Sequence, residues 1–184
     1  MDIDTLLHEY HGLGRDGLSR LLTEAAAALG PVDVEPARPA PHKAPAKAAS
    51  RKLILHTDGA SRGNPGESGL GVFMEDENGQ VVGKLARYLG STTNNQAEYS
   101  ALIEGLKKAI EMGAKEVEVY ADSELMVKQM NGLYKVKDAG LQIRHAEARI
   151  LVAKLGRVVI KYIPRAMNKE ADALANEAID KRIK

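Results

Sequence analysis

From residue 53 onward the hydrophobic pattern changes its period in a fixed order, and that order leaves few folds open. Leu53-Ile54-Leu55 is a short apolar run leading into Thr57-Asp58-Gly59, a polar turn entered from a buried strand. Gly69 to Met74 and Val81 to Leu89 read as the next two strands, joined at Glu77-Asn78-Gly79, whose Asn-Gly pair suits a tight hairpin. Behind Thr93-Asn94-Asn95 the period lengthens. Ala97, Ala101, Leu102, Leu106, Ala109 and Ile110 recur every three or four residues on one helix face, and Gly113 stops the helix. Val117 to Tyr120 predicts a fourth strand, 123–130 a short helix, 139–155 a longer one, Val158 to Ile163 a fifth strand, and 168–182 a last helix rich in alanine. Three antiparallel strands, then parallel additions through helical crossovers, define an α/β fold: a five-stranded mixed sheet flanked by helices. With one Phe and no Trp, its core is aliphatic.

The preceding 50 residues do not share this pattern. Five of the seven prolines and six alanines fall in 31–50, with only two Val as sizeable aliphatics, so this stretch reads as a semi-rigid linker. It separates residues 1–30 from a main domain at 51–184. In the short piece Leu6, Leu7 and Tyr10, then Leu18, Leu21, Leu22, Ala25 and Leu29, suggest two small helices around Gly12, Gly14 and Gly17. Some thirty residues cannot bury a core of their own. The expectation is docking on the main domain, on a partner protein or on a second copy, and the pattern does not choose among them.

Charge and composition then exclude whole classes. Lys and Arg number 26 against 25 Asp and Glu, which rules out a strongly basic nucleic-acid coat but not a local patch. No cysteine is present, so disulfides, thiol catalysis and thiolate-held metals are excluded together. No apolar run approaches the roughly 20 residues needed to span a bilayer, and Met1-Asp2-Ile3-Asp4 is acidic where a secretory signal is basic. A cytoplasmic protein with no membrane contact is expected.

Four carboxylates stand near element ends. Asp58 follows the first apolar strand and Asp122 the fourth; Glu98 lies in the opening turns of the long helix, and Asp172 near the start of the last one. Singly, each of these acids has an ordinary use as a turn or helix-end residue. Clustered, they repel one another and call for a counter-charge. Oxygen ligands on rigid element ends suit Mg²⁺ or Mn²⁺. Two such ions about 4 Å apart clamp the attacking and leaving oxygens of a phosphoryl displacement. Metal-dependent phosphodiester hydrolysis is the chemistry expected.

The strings around these acids resemble type 1 ribonuclease H: Thr57-Asp58-Gly59-Ala60-Ser61, Gly63-Asn64-Pro65-Gly66, Thr92 to Glu98 (TTNNQAE), Tyr120-Ala121-Asp122-Ser123 and Pro164 to Asp172 (PRAMNKEAD). The resemblance runs from about residue 52 to 180. It implies a ribonuclease H-like fold and endonucleolytic cutting of the RNA strand of RNA–DNA hybrids, leaving 5′-phosphate and 3′-hydroxyl ends. It implies that Asp58, Glu98, Asp122 and Asp172 hold two Mg²⁺ or Mn²⁺ ions, with Asp58 bridging them and Glu98 also near a ribose 2′-hydroxyl. Arg165 takes the place of a histidine in a mobile loop of the bacterial pattern. An arginine there stabilises phosphate charge but does not titrate as histidine does, so no histidine-like fall in activity near pH 6 is expected. Substrate contacts are implied for Gly59, Ala60, Ser61, Asn64, Thr93, Asn94, Asn95, Gln96, Lys137 and Asn168, with Asn94 and Asn95 in the hybrid minor groove and Thr93 on a DNA phosphate. His56 and His145 have ordinary packing or surface uses beside these.

Two departures qualify the resemblance. Many members carry a basic, tryptophan-containing protrusion, whereas Gln129 to Asp138 offers only Tyr134, Lys135 and Lys137, so fewer phosphate contacts and a salt-sensitive affinity are expected. Asp138 stands where compact relatives present an asparagine, and Ser91 where some have an arginine, which puts selection for a DNA partner strand in question and leaves double-stranded RNA as an alternative substrate. Residues 1–30, with one aromatic, two basic and five acidic side chains, are a poor nucleic-acid binder. A non-catalytic binding module on the same fold is the remaining alternative.

Overall fold

The structure, a computed structural model, describes residues 52–184; the expectations for residues 1–30 and for the linker 31–50 lie outside the described residues. Strand β1 (Lys52–Gly63) pairs antiparallel with β2 (Gly66–Asp76), and β2 with β3 (Val81–Thr92). Helix α1 (Asn94–Glu111) leads to β4 (Glu116–Ala121), parallel to β1. Helices α2 (Glu124–Met130) and α3 (Ala139–Lys154) lead to β5 (Arg157–Tyr162), parallel to β4. A 3₁₀ turn (Arg165–Met167) opens α4 (Lys169–Lys181). The sheet order is β3-β2-β1-β4-β5, the expected mixed sheet of three antiparallel strands with two parallel additions.

Strand alternation divides the side chains between two layers. Leu53, Leu55, Leu70, Val72, Met74, Val117 and Val119 face α1, whose Ala101, Leu102, Leu106 and Ala109 complete a mainly aliphatic core; the buried Tyr99 departs from the all-aliphatic expectation. These are the helix positions the three-and-four spacing picks out. The opposite face of β2 receives α4 so closely that a Cβ on Gly71 would lie 2.2 Å from the Ala171 carbonyl oxygen. Ala171, Ala175 and Ala178 are small for the same reason: a larger side chain would lift the helix, and Asp172 with it, off the sheet.

Turn chemistry acts as the sequence suggests at Asn78-Gly79. Asp76 Oδ1 accepts from the amides of Asn78 and Gln80, both at 2.9 Å, and Gly79 takes the positive φ of +75°. One expectation fails. Thr57-Asp58-Gly59 is no turn but the middle of β1, which runs on to Gly63 and returns through Asn64-Pro65, a cis peptide, into β2. The parallel partner stops earlier: β4 is last in register at Ala121, opposite Thr57. Asp58 therefore stands one residue past the end of its neighbour. A cleft opens there, and the polar run Asp58–Ser61 lines it while keeping its ladder to β2.

Candidate active site

Three of the four expected acids converge. Asp58 (4% exposed), Glu98 (5% exposed) and the half-buried Asp122 each offer a carboxylate oxygen, and these oxygens all lie within 4.8 Å of one another. The chain path makes this close approach possible. A Cβ on Gly59 would sit 2.1 Å from the backbone nitrogen of Glu98, so only glycine lets α1 descend onto β1, and the Gly59 amide donates to Glu98 Oε2 at 3.2 Å. Gly59, expected among the substrate contacts, thus has its clearest role in bringing two acids together.

The electrostatics are unfavourable as they stand. Burial pushes Asp58 up to about 7, with the nearby Asp122 adding to the rise, then Asp172, while Arg165 opposes it. Glu98 is also raised well above the carboxylate range, by burial first and then by Asp58 and Asp122, against the Gly59 N–H and Arg165. Asp58 Oδ2 is buried without a hydrogen-bond partner. A cluster of hard oxygen donors, short of positive charge and with an orphaned oxygen, fits a hard divalent cation such as Mg²⁺ or Mn²⁺. Among the described residues this is the one acidic group so arranged.

Asp172 differs from the expectation of four converging ligands. Its Oδ1 accepts from Arg165 Nη2, and its side chain is 29% exposed, outside the three-acid group. Arg165, 72% exposed, reaches across from the 3₁₀ turn, so the expected phosphate-facing cation here neutralises the fourth acid.

The acids floor a cleft of about 330 Å³. Gly59, Ala60, Ser61, Asn94 and Arg165 line it as expected. A neighbouring pocket of about 170 Å³ gathers Asn64, Thr93, Asn95 and Gln96 beside Asp138 and Leu141. Asn64 Oδ1 accepts from the Asn94 amide at 3.2 Å and ties the two rims together. Thr93 is an N-cap after all: its Oγ1 accepts from the Gln96 amide at 3.3 Å. Asp138 caps α3 in the same way, accepting from the Leu141 amide at 2.8 Å. Lys137 is exposed and lines neither cavity.

Asn168 corrects the expectation most sharply. Its side chain is fully buried and lines neither cavity; it reaches the cleft through a hydrogen bond to Asp122 instead of facing into it. His56 stacks on Tyr120 at 5.2 Å between ring centroids, and His145 meets Tyr99 edge-on at 6.3 Å, both packing roles.

Three cleft residues escaped the sequence reading: Ser123, Tyr162 and Asn176. Asn176 was legible, being four residues after Asp172 on the same helix face. Tyr162 ends β5 opposite Ala121, which puts it beside Asp122, but only the strand register reveals that.

Fold and site together define a class: the description "Reverse transcriptase-like" matches residues 56–178. Similarity to individual proteins narrows it. Over 130 residues the chain is 42% identical to the bifunctional protein Rv2228c of Mycobacterium tuberculosis, covering 70% of this chain and 36% of that protein. The RNase H1 structure from Halobacterium salinarum superposes with a TM-score of 0.69 at 40% identity, covering 71% of this chain and 98% of the other. LC11-RNase H1, solved in complex with an RNA/DNA hybrid, superposes at 0.67 with 44% identity, again covering 71% and 98%. The chain belongs to the type 1 ribonuclease H family. It spans only about a third of the Mycobacterium relative's length.

Proposed function

We propose that this domain hydrolyses the RNA strand of RNA–DNA hybrids internally, leaving 5′-phosphate and 3′-hydroxyl ends. The observation that carries the reading is the trio of buried Asp58 and Glu98 with half-buried Asp122, short of positive charge at the foot of a polar cleft. When bound, Mg²⁺ or Mn²⁺, two ions per site in this reading, would supply the missing charge and activate water for attack at phosphorus. Asp58 from β1, Glu98 from α1 and Asp122 from the end of β4 would hold that charge together at the floor of the cleft. Asp172 would add a fourth carboxylate to the set, and Arg165 would offer planar, permanently charged donors to the phosphate. Asn64, Asn94 and Asn95 present short polar groups along the rim, suited to 2′-hydroxyls in a wide, shallow minor groove.

Absence of cysteine and of a long apolar helix among the described residues fits action in the cytoplasm. For residues 1–30 the reading is a docking segment, acting on the catalytic domain, a partner or a second copy, with 31–50 as its tether. A second reading of selectivity has one observation behind it: Asp138 brings a carboxylate to the smaller pocket, where it disfavours a phosphate of the partner strand, so double-stranded RNA is cut as well.

The test is cleavage of an end-labelled hybrid beside double-stranded RNA, single-stranded RNA and duplex DNA, with Mg²⁺, Mn²⁺ or EDTA, and with Asp58→Asn alongside. Internal, metal-dependent cuts in the hybrid's RNA, lost in the variant, are expected. Retention of the hybrid without cutting would overturn the catalytic reading in favour of a binding module.

A further inference from the structure

One buried polar side chain near the acids has no part in the hydrolysis scheme. Asn168 is 0% exposed, an unusual place for an amide side chain. Its Nδ2 donates twice, to the Thr57 carbonyl at 3.0 Å and to Asp122 Oδ1 at 3.0 Å. Both amide hydrogens are therefore used, while its own Oδ1 has no partner. Its backbone carbonyl accepts from the Asp172 amide at 3.0 Å. One residue thus touches three of the four elements that carry the acids: β1 one residue before Asp58, the end of β4 at Asp122, and the first turn of α4 at Asp172. Thr57 is also the last β1 residue paired with β4, so the bridge spans the point where the two strands part.

Ordinary duties do not account for this placement. Asn168 precedes α4, yet its side chain makes no capping hydrogen bond. An apolar residue would fill the same volume without orphaning an oxygen. What the amide adds is direction without charge. Asp122 stands among like charges, and nothing in Coulomb repulsion would keep it pointed at Asp58. A Lys or Arg holding it would neutralise the cluster and compete with a divalent ion, as Arg165 does at Asp172. A neutral donor fixes one carboxylate oxygen and leaves the other, with the group's full charge, for a cation.

We propose that Asn168 is the positioning residue of the metal-binding acids: bridging Thr57 and Asp122, it holds the end of β4 against β1, and it affects cleavage through metal affinity. The inference rests on the reading that Asp58, Glu98 and Asp122 hold a divalent cation. The experiment uses the full chain and measures free Mn²⁺ by electron paramagnetic resonance, below the unfolding range, for wild type, Asn168→Ala and Asn168→Ser. Gln129→Ala is the control: Gln129 is also buried, accepts the Tyr99 hydroxyl at 2.9 Å, and neither lines the cleft nor bonds to any of the acids. The dissociation constant for Mn²⁺ is expected to rise about 10- to 100-fold in Asn168→Ala and less in Asn168→Ser, which keeps one donor. The kcat at saturating Mn²⁺ should return to within a few-fold of wild type. Gln129→Ala should lower Tm and leave Mn²⁺ binding unmoved. An unchanged dissociation constant in the Asn168 variants, or an equal shift in Gln129→Ala, would overturn the proposal; if the alanine variant does not fold, the serine variant decides. Weakened Mn²⁺ binding in a wild-type background that never cuts a hybrid would leave the positioning role standing and remove the proposed reaction instead. A wild type that binds no Mn²⁺ would remove both.

Discussion

Two sets of carboxylates share strands β1 and β4 and live under opposite electrostatic conditions. Glu118, four residues before Asp122, accepts from Lys52 Nζ at 2.8 Å, Tyr120 Oη at 2.9 Å and Lys161 Nζ at 3.2 Å; the Lys52 bond, then the Tyr120 one, lowers it to about 2. Asp58, on the strand that also supplies Lys52, is raised to about 7 by burial and by its acidic neighbours. The residue class is the same and the sheet is the same. The difference is that every donor around Glu118 is supplied by the fold, whereas the cation nearest the other set, Arg165, is occupied by Asp172. An acid the scaffold uses is compensated inside the scaffold. Acids held together without compensation mark a site that expects charge from outside.

The comparison is broken most forcefully by neutralising one acid from each set. Asp58→Asn should abolish hybrid cleavage, by about 10³-fold or more, and at pH 8 should raise the Tm of the metal-free protein, since it removes a buried charge lacking a partner. Glu118→Gln should do the reverse: cleavage within a factor of two of wild type, Tm lower by about 2–4 °C. Loss of activity together with loss of stability in both variants would erase the distinction.

Titration sharpens it, because the two shifts have opposite signs. Asp58 in the folded protein keeps its proton up to about 7, whereas the unfolded chain releases it near 4. Between those values the native state binds more protons, so the Asp58 contribution to stability of the metal-free protein should fall as pH rises from about 4 to 7, and the raised Glu98 adds to the fall in the same direction. Glu118, depressed to about 2, contributes stability above its unfolded value, and this is lost as pH falls from about 5 towards 2. Thermal melts from pH 3 to 9 should therefore show a maximum on the acid side of neutrality. Saturating Mg²⁺ should flatten the alkaline limb and leave the acid limb unchanged, while Asp58→Asn should shrink the alkaline limb without metal, leaving the part that the buried Glu98 contributes. Cleavage at limiting Mg²⁺ should rise through about 7, because the ion competes with the Asp58 proton.

Arg165 tests the same contrast from the cationic side. Its removal leaves Asp172 unpaired and withdraws the one positive influence acting on both Asp58 and Glu98. Arg165→Ala should cost about 10²-fold in kcat. Arg165→Lys, keeping charge but not the planar fork, should recover only part of it. At saturating Mg²⁺, where the Asp58 proton no longer competes, wild-type activity should lack a histidine-like fall near pH 6, and its presence would show that another residue carries the charge.

How much of this was legible beforehand follows from the range over which each feature is specified. Order and type of the nine main elements are local, set by period and by breakers such as Gly79 and Gly113, and they could be read. Asp58, Glu98 and Asp122 were readable because acids beside apolar strands and at a helix start advertise themselves in short strings. The length of β1 was not, since polar residues through Ser61 look like a turn until the antiparallel ladder to β2 is known. Nor was Asn168: its partners Thr57 and Asp122 are 111 and 46 residues away, and nothing in PRAMNKEAD says which polar residue faces inward. The pairing of Arg165 with Asp172 escaped for a different reason, because a family pattern assigns one to the phosphate and the other to the metal ions and is silent about what they do to each other.

Tyr162 supplies the smallest and last test. Among the five described tyrosines, Tyr88, Tyr99, Tyr120 and Tyr134 each have a hydrogen-bond, ring or cation partner. Tyr162 is 50% exposed on the wall of the catalytic cleft, and no such contact is made by its ring or hydroxyl. An aromatic face beside Asp122 suits the sugar or a frayed base of the bound strand, for which stacking is worth at most about 1–3 kcal/mol. Within a duplex only a fraction of that is accessible. Tyr162→Ala should accordingly raise KM for the hybrid about three- to tenfold with kcat within a factor of two, and Tyr162→Phe should match wild type if the ring, rather than the hydroxyl, makes the contact. A fall in kcat at unchanged KM would instead place Tyr162 with the acids, as a support for Asp122, and move it to the uncompensated side of the comparison.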